Sequence, residues 1–295
     1  MFNWSRFCSF SVVALITCFI ISAASVSAYD CGDVTCSGGA PDISDVTRII
    51  DYLYLTRSPL CNPVIADVNG SGGEPDISDI TLLIDHLYLS YRPLNCLVGT
   101  VTDIDGNVYQ TVKIGDQWWM AENLKVTRYR NGDPIPKMTD NGSWSSLNTG
   151  AYCEYNNNIF IVGTYGRLYN WYAVNDYRKL APEGWHVPTD GEWQILIDYL
   201  GGNDISGEKL KEIGTAHWLS PNTGANNESG FTALPGGYRV TNGNYIAMSY
   251  YAYFWSTTAN DAINAWFRCL YYNNTMVGSN YTFKGSGCSI RCVRN

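Results

Sequence analysis

Histidine is scarce. Only His86, His186 and His217 occur in 295 residues. No two of them stand four apart, which excludes the helical zinc-protease motif. His186, inside Trp185-His186-Val187-Pro188, reads as a packed turn residue. No Gly-x-Ser-x-Gly elbow and no phosphate-cradling glycine loop occurs, and Gly236-Gly237 reads as a turn. Charge is also sparse: charged residues make up 16% of the chain, and the net charge is −8. Binding a phosphate backbone needs a basic patch, so nucleic acid is excluded as a partner. The balance suits a protein that binds cations or neutral ligands. Apolar runs of membrane-spanning character are missing after residue 28, so no span is expected beyond the leader.

That leader has one charge, Arg6, then an apolar run from Phe10 to Ile21, then small residues ending Val26-Ser27-Ala28. This is the pattern of a cleaved signal peptide. The run is short for a span, which needs roughly 20 apolar residues. The expected division is residues 1–28 as signal peptide, 29–97 as a small module and 98–295 as a larger domain, in a secreted or cell-surface protein. Cleavage before Tyr29 removes Cys8 and Cys18 of the ten cysteines. An even number remains in an exported chain, which favours disulfides.

An internal repeat fills the small module. Asp33 to Leu55 and Asp67 to Leu89 align without a gap at an offset of 34, and 16 of the 23 positions are identical. Each copy reads Asp-Val-x-x-Ser-Gly-Gly-x-Pro-Asp-Ile-Ser-Asp and then a helical stretch. Val46, Ile49, Ile50 and Leu53 share one face of the first helix, and Ile80, Leu83, Ile84 and Leu87 share one face of the second. Ser44 and Ser78 stand where an N-cap is wanted. Calcium takes six to eight oxygens from a flexible loop with a glycine at its sharp turn. Asp67, Asn69, Ser71, Asp76 and Asp79 supply such oxygens around Gly72, and Asp33, Thr35, Ser37, Asp42 and Asp45 supply them in the first copy. Two calcium sites are expected. The second should be tighter, because Asn69 replaces Thr35. Only 11 residues separate Leu55 from Asp67, and Pro59 and Pro63 lie among them, so no helix enters the second loop.

A calcium loop followed by a single helix, given twice, resembles a dockerin module. The resemblance implies that calcium folds the module and that a cohesin-like protein is a candidate partner. Thr35, serine at the fifth loop position and one extra loop residue depart from the dockerin pattern. Four cysteines, Cys31, Cys36, Cys61 and Cys96, frame the module. Their spacing matches no zinc site. Of three pairings, Cys31 with Cys96 and Cys36 with Cys61 is the expected one.

From about Gly99, Gly, Asn, Tyr and Trp become frequent and apolar runs shorten. Asp105-Gly106 reads as the turn of a hairpin. Thr189 and Glu192 form a capping box ahead of a helix with Trp193, Leu196, Ile197 and Leu200 on its apolar face, stopped by Gly201-Gly202. A second helix begins near Ser206. Strands are expected around Trp266–Tyr272, Tyr281–Lys284 and Cys288–Val293. The fold class is α+β and mostly antiparallel.

Six stretches carry a family resemblance: Gln117 to Leu124, Tyr165 to Trp171, Gly184 to Thr189, Leu234 to Arg239, Phe254 to Thr257 and Ser289 to Arg294. Together they resemble the Fibrobacter succinogenes major paralogous domain. The resemblance implies a C-type-lectin-like fold, in the branch shared with formylglycine-generating enzymes, which holds ligands on irregular loops. One departure is Ala181, where the family pattern carries cysteine. Cys153 and Cys292 keep family positions, whereas Cys269 and Cys288 are additions on strands that can be neighbours. The pairs Cys269–Cys288 and Cys153–Cys292 are expected.

Three functions follow as expectations. The first is a secreted, non-catalytic binding or adhesion protein that presents Tyr245, Tyr250, Tyr251, Tyr253, Tyr271, Tyr272, Asn273 and Asn274 to a glycan or protein ligand. The second is a component or enzyme of a polysaccharide-degrading system, attached through the dockerin-like module. The third is an oxidase of formylglycine-generating type, using Cys288 and Cys292 on one strand face as metal ligands.

Overall fold

The computed structural model describes residues 32–37, 40–61, 63–69, 74–89 and 98–295. The leader, Cys31, Ser71, Gly72 and Cys96 lie outside the described residues, and so does the expected Cys31–Cys96 pair.

The small module is helical. Helix α1 (Ile43–Ile50) continues through a π-helical turn at Asp51–Leu55, α2 is the single turn Pro63–Ala66, and α3 is Ile77–Tyr88. The caps are Asp42 and Asp76 rather than Ser44 and Ser78. Each aspartate accepts the amide and hydroxyl of the serine two residues on. Ser44 and Ser78 are the second residues of their helices, past the extended cap position, so aspartate takes the cap. The one-turn α2 corrects the expectation of no helix ahead of the second loop. It begins on Pro63, where a missing N–H costs nothing.

The duplication reappears in burial. Val46 and Ile49 are buried, and so are their counterparts Ile80 and Leu83. Ile50 and Ile84 are each 37% exposed, and Leu55 and Leu89 are each 72% exposed. Val34, Leu60, Ile65, Ala66 and Val68 complete the core. Cys36 and Cys61 are joined, as expected, with Cα atoms 6.0 Å apart.

The larger domain is α+β and mostly antiparallel. Strands β1 (Val98–Thr102), β2 (Val108–Ile114) and β3 (Gln117–Met120) come first, followed by helix α4 (Asn141–Ser145) and strand β4 (Tyr152–Cys153). Next are α5 (Val162–Tyr165), β5 (Leu168–Asn170), α6 (Trp171–Val174), β6 (Trp185–His186), α7 (Asp190–Tyr199) and α8 (Ser206–Leu210). The last third is strand: β7 (Gly236–Arg239), β8 (Tyr245–Met248), β9 (Tyr251–Ala259), β10 (Asn264–Tyr271), β11 (Val277–Phe283), β12 (Gly287–Cys288) and β13 (Val293–Arg294). One sheet has the order β1-β2-β3-β13-β6, and the other runs β11-β10-β9-β7-β12-β5-β4 with β8 paired to β7.

Helix α7 has the expected capping box of Thr189 and Glu192. It buries Trp193, Leu196, Ile197 and Leu200 against Trp119, Phe231, Phe254 and Leu270. The expected strand Cys288–Val293 is broken. Its two ends pair in different sheets, so the chain crosses from one sheet to the other between them.

Arginines of the signature stretches serve the scaffold. Arg291 is buried and donates to Asn123 Oδ1 and to the carbonyls of Met120, Phe231 and Thr232. Arg239 is buried between the rings of Trp144 and Tyr245, 4.5 and 4.7 Å from their centres. It donates to the carbonyls of Gly243, Met138 and Thr139. Planar, many-donor groups suit such carbonyl clusters, because a buried charge needs several partners.

Candidate functional site

In the first loop, Thr35 Oγ1 lies 3.2 Å from Asp33 Oδ1 and 2.9 Å from Asp45 Oδ1. One hydroxyl thus gathers a loop carboxylate and a carboxylate from the first helical turn. Ser37 donates its amide and hydroxyl to the same Asp33 oxygen. Asp33 and Asp45 are 0% and 1% exposed. Asp42, in contrast, turns its carboxylate to Ser44 and gives only its amide to Asp45. In the second loop, Asp67 and Asp79 are buried. Asp79 accepts the amides of Asn69 and Asp76, while the Asn69 side chain donates to Ser78. Burial pushes the Asp79 carboxyl above its ordinary range, against those amides, and the charges of Asp67 and Asp76 push the same way. Among the described residues neither Asp45 nor Asp79 forms an ion pair. The oxygens are of the type a hard divalent ion takes, although no group of three or more His, Cys, Asp or Glu side chains among the described residues is placed to hold a metal ion.

The tyrosines of the larger domain divide into two groups. Tyr251 faces Tyr271 across β9 and β10, and Tyr253 faces Cys269. Tyr250, Tyr251, Tyr253, Tyr271 and Tyr272 are linked through Tyr251, whose ring lies 5.5–6.4 Å from the other four. Tyr238 joins them at 4.5 Å from Tyr253. This residue was missed because its Pro-Gly-Gly-Tyr-Arg setting gives no hint of which strand it meets. Tyr250 is 45% exposed and the others are half-buried, with one side on the core. Gly278 opposite Cys269 keeps the strip closed, since a Cβ there would stand 2.4 Å from Tyr271 Oη.

Tyr245 is not part of this strip. It packs on Tyr155 and Arg239 and hydrogen-bonds Asn157. Asn273 is exposed at the β10–β11 turn. Asn274 is a turn residue that receives the buried Lys211 amine on its carbonyl. Lys211 also donates to Thr223 and Tyr271 carbonyls, and burial pushes its amine down to about 8.

In this structure Cys153, Cys269, Cys288 and Cys292 are separate buried thiols, so neither expected pair is formed. Strand β9 explains the first case: Tyr253 pairs with Cys269 on one side, and Phe254 bridges Ser289 on the other. Two strand spacings of about 4.8 Å each exceed the ~7 Å Cα limit of a disulfide. Cys153 packs with Trp144 and Leu168, whereas Cys292 packs in a different cluster with Ile290. Because the chain switches sheets, Cys288 and Cys292 do not share a strand face. Burial pushes the Cys153 and Cys269 thiols up to about 11 and 12, and raises Cys288 and Cys292 further. Such thiols are poor nucleophiles and poor ligands. A thiol reagent should leave all four untouched in the native protein and label all four after denaturation, read by peptide mass mapping. Labelling of Cys288 or Cys292 under native conditions would contradict this placement.

Two buried acidic residues of this domain are engaged in the scaffold. Glu154 meets Lys137 and Arg167, and Asp103 accepts from Asn107 and Tyr109. His186 bridges Asn295 and Glu192; it is a half-exposed residue of strand β6 paired with Val293, not the packed turn residue expected. No helix among the described residues is long and apolar enough to cross a membrane.

No curated protein and no solved structure matches the chain. The family profile described as the Fibrobacter succinogenes major domain matches residues 112–294. That span holds α7, both sheets' central strands and the buried Arg239 and Arg291. The chain belongs to the Fibrobacter succinogenes major domain family.

Proposed function

We propose that this is an exported, non-catalytic binding protein whose larger domain presents a tyrosine surface to a neutral glycan, and whose small module is a calcium-stabilised tether. The observation that carries the reading is the strip of five linked tyrosines with Tyr250 at its exposed end. Rigid aromatic rings offer large contact area at low entropic cost. The engaged acids and inert thiols of the same domain favour binding over chemistry. In the tether, Asp33, Thr35, Ser37 and Asp45 would hold one calcium ion, and Asp67, Asn69 and Asp79 would contribute to the second. Bound calcium would neutralise the buried carboxylates and fix each loop to its helix.

The exposed side of the tether supports a protein partner. Ile43, Ile50, Tyr54 and Leu55 recur as Ile77, Ile84, Tyr88 and Leu89, and all eight are exposed. Matched apolar residues left outside a core mark an interaction face. A cohesin-like domain is the partner we propose, which would place the chain on an extracellular polysaccharide-degrading assembly.

Tyr251→Ala combined with Tyr250→Ala should lower retention on immobilised neutral polysaccharides roughly tenfold. Unchanged retention by the folded double variant would overturn the role of the strip.

A further inference from the structure

A second ligand surface lies away from the tyrosine strip, along the segment that joins α6 to β6. Three clefts open there. The first, about 500 Å³, is lined by Pro134, Asn148 and Tyr172. The second, about 280 Å³, reaches Lys179 and His186. The third, also about 280 Å³, reaches Ile104 and Glu183. Adjacent clefts share walls: Asn175, Asp176 and Tyr177 line the first and second, and Arg130, Leu180 and Ala181 line the second and third. The clefts therefore form one track with two low ridges.

The first ridge is built to present a ring. Asp176 and Arg178 hold each other, with Arg178 Nε and Nη2 on the two carboxylate oxygens at 2.9 and 2.8 Å. Arg178 also reaches Asp133 and lies 4.0 Å over the Tyr129 ring. Tyr177, between these two anchored residues, is 87% exposed. Its only ring contact among the described residues is with the Arg178 guanidinium, 5.8 Å from its centre, so an aromatic face is left open to a ligand on an anchored stretch of chain. The second ridge is pinned by Arg130, which donates to the carbonyls of Ala181, Pro182 and Trp185.

The charges along the track are largely spent within the protein. Arg130 and Arg178 serve carbonyls and carboxylates, Asp176 is paired with Arg178, and Glu183 lies against Arg130, which leaves the exposed Lys179 as the track's one cation without an ion pair among the described residues. The side-chain amides of Asn148 and Asn175 are exposed and make no hydrogen bond among the described residues. Neutral donors and acceptors beside an aromatic platform, in the first two clefts, suit hydroxyl-bearing rings, and the third cleft extends the groove with Ile104, Leu180 and Pro182. We infer that this track binds a linear, neutral oligosaccharide, with Tyr177 stacking on a sugar ring between the first two clefts. The inference rests on the glycan-binding reading and adds a site separate from the tyrosine strip.

The test uses full-length protein in calcium and isothermal titration with cello-, xylo- and mannohexaose and the matching disaccharides. One hexaose should bind at least about tenfold more tightly than its disaccharide, because several units are needed to fill the track. Tyr177→Ala should weaken that hexaose roughly tenfold, and Asn175→Ala should weaken it less. The strip variant Tyr250→Ala/Tyr251→Ala should weaken hexaose and disaccharide alike, so that their ratio does not fall. If Tyr177→Ala binds like the parent while the strip variant loses binding, the track is overturned and the glycan-binding reading stands. If the parent binds none of the sugars, both fall. Binding of a peptide that depends on Tyr177, without sugar binding, would also overturn the track as an oligosaccharide site.

Discussion

Chelation of calcium is expected to open residues 32–89 while residues 98–295 stay folded. The small module has a thin core of nine buried apolar residues, and such cores add little stability by themselves. Against that core stand Asp33, Asp45, Asp67 and Asp79, all at most 2% exposed. Without a cation, each pair sets like charges together in a poorly solvated place. Calcium at a hundredfold its dissociation constant stabilises each site by about 2.7 kcal/mol, comparable to the net stability of a domain this small. Limited proteolysis with and without chelator reads the effect. Cleavage should appear between residues 32 and 89 only in chelator, and release an intact larger domain. Asp79→Ala should reproduce this in calcium. Asp45→Ala should act more weakly, because the first loop is also held by Cys36–Cys61, a closure worth about 3 kcal/mol. By calorimetry the second site should be the tighter one. Equal resistance to protease with and without calcium would remove the metal from the account.

The second large effect concerns Arg291. Replacement by Met should destabilise the larger domain by about 3–5 kcal/mol, because three carbonyls and Asn123 Oδ1 lose their donor in a buried place. Arg291 also lies 4.4 Å over the Phe231 ring, so packing is lost as well. Arg291→Lys should recover only part of the loss, since one ammonium cannot reach four acceptors in a plane. Chemical denaturation followed by tryptophan fluorescence measures both. A Met variant as stable as the parent would mean that these contacts are not what holds β3, β13 and the Phe231 loop together.

Legibility followed the range of the interactions. The repeat was visible as identity, and its burial pattern follows residue by residue. Helix α7 was visible because its cap, its apolar face and its stop all lie within 14 residues. Strand β9 carried no local mark: Tyr251, Tyr253 and Trp255 face one core while Ala252 and Phe254 face the other, so polar alternation is missing. Its place between β10 and the Cys288 segment decided the cysteine pairing, and strand order is a long-range fact. The sheet switch after Cys288 was hidden for the same reason. The burial of Asp33, Asp45, Asp67 and Asp79 follows the repeat that the sequence displays. The caps were not legible, because aspartate and serine both suit the position and backbone geometry chose between them. The track around Tyr177 was not legible at all. Residues near 104, 130, 148 and 177 build it, and none has a distinctive local setting.

The central claim is that the larger domain binds glycan without transforming it. The most direct test incubates the full-length protein in calcium with a panel of insoluble neutral polysaccharides and measures, in one experiment, protein retained and reducing ends released. The account predicts saturable retention on at least one polymer, loss of that retention on combining Tyr177→Ala with Tyr250→Ala and Tyr251→Ala, and no release of reducing ends. Release of reducing ends that rises with protein concentration, or retention indifferent to all three substitutions, would contradict it.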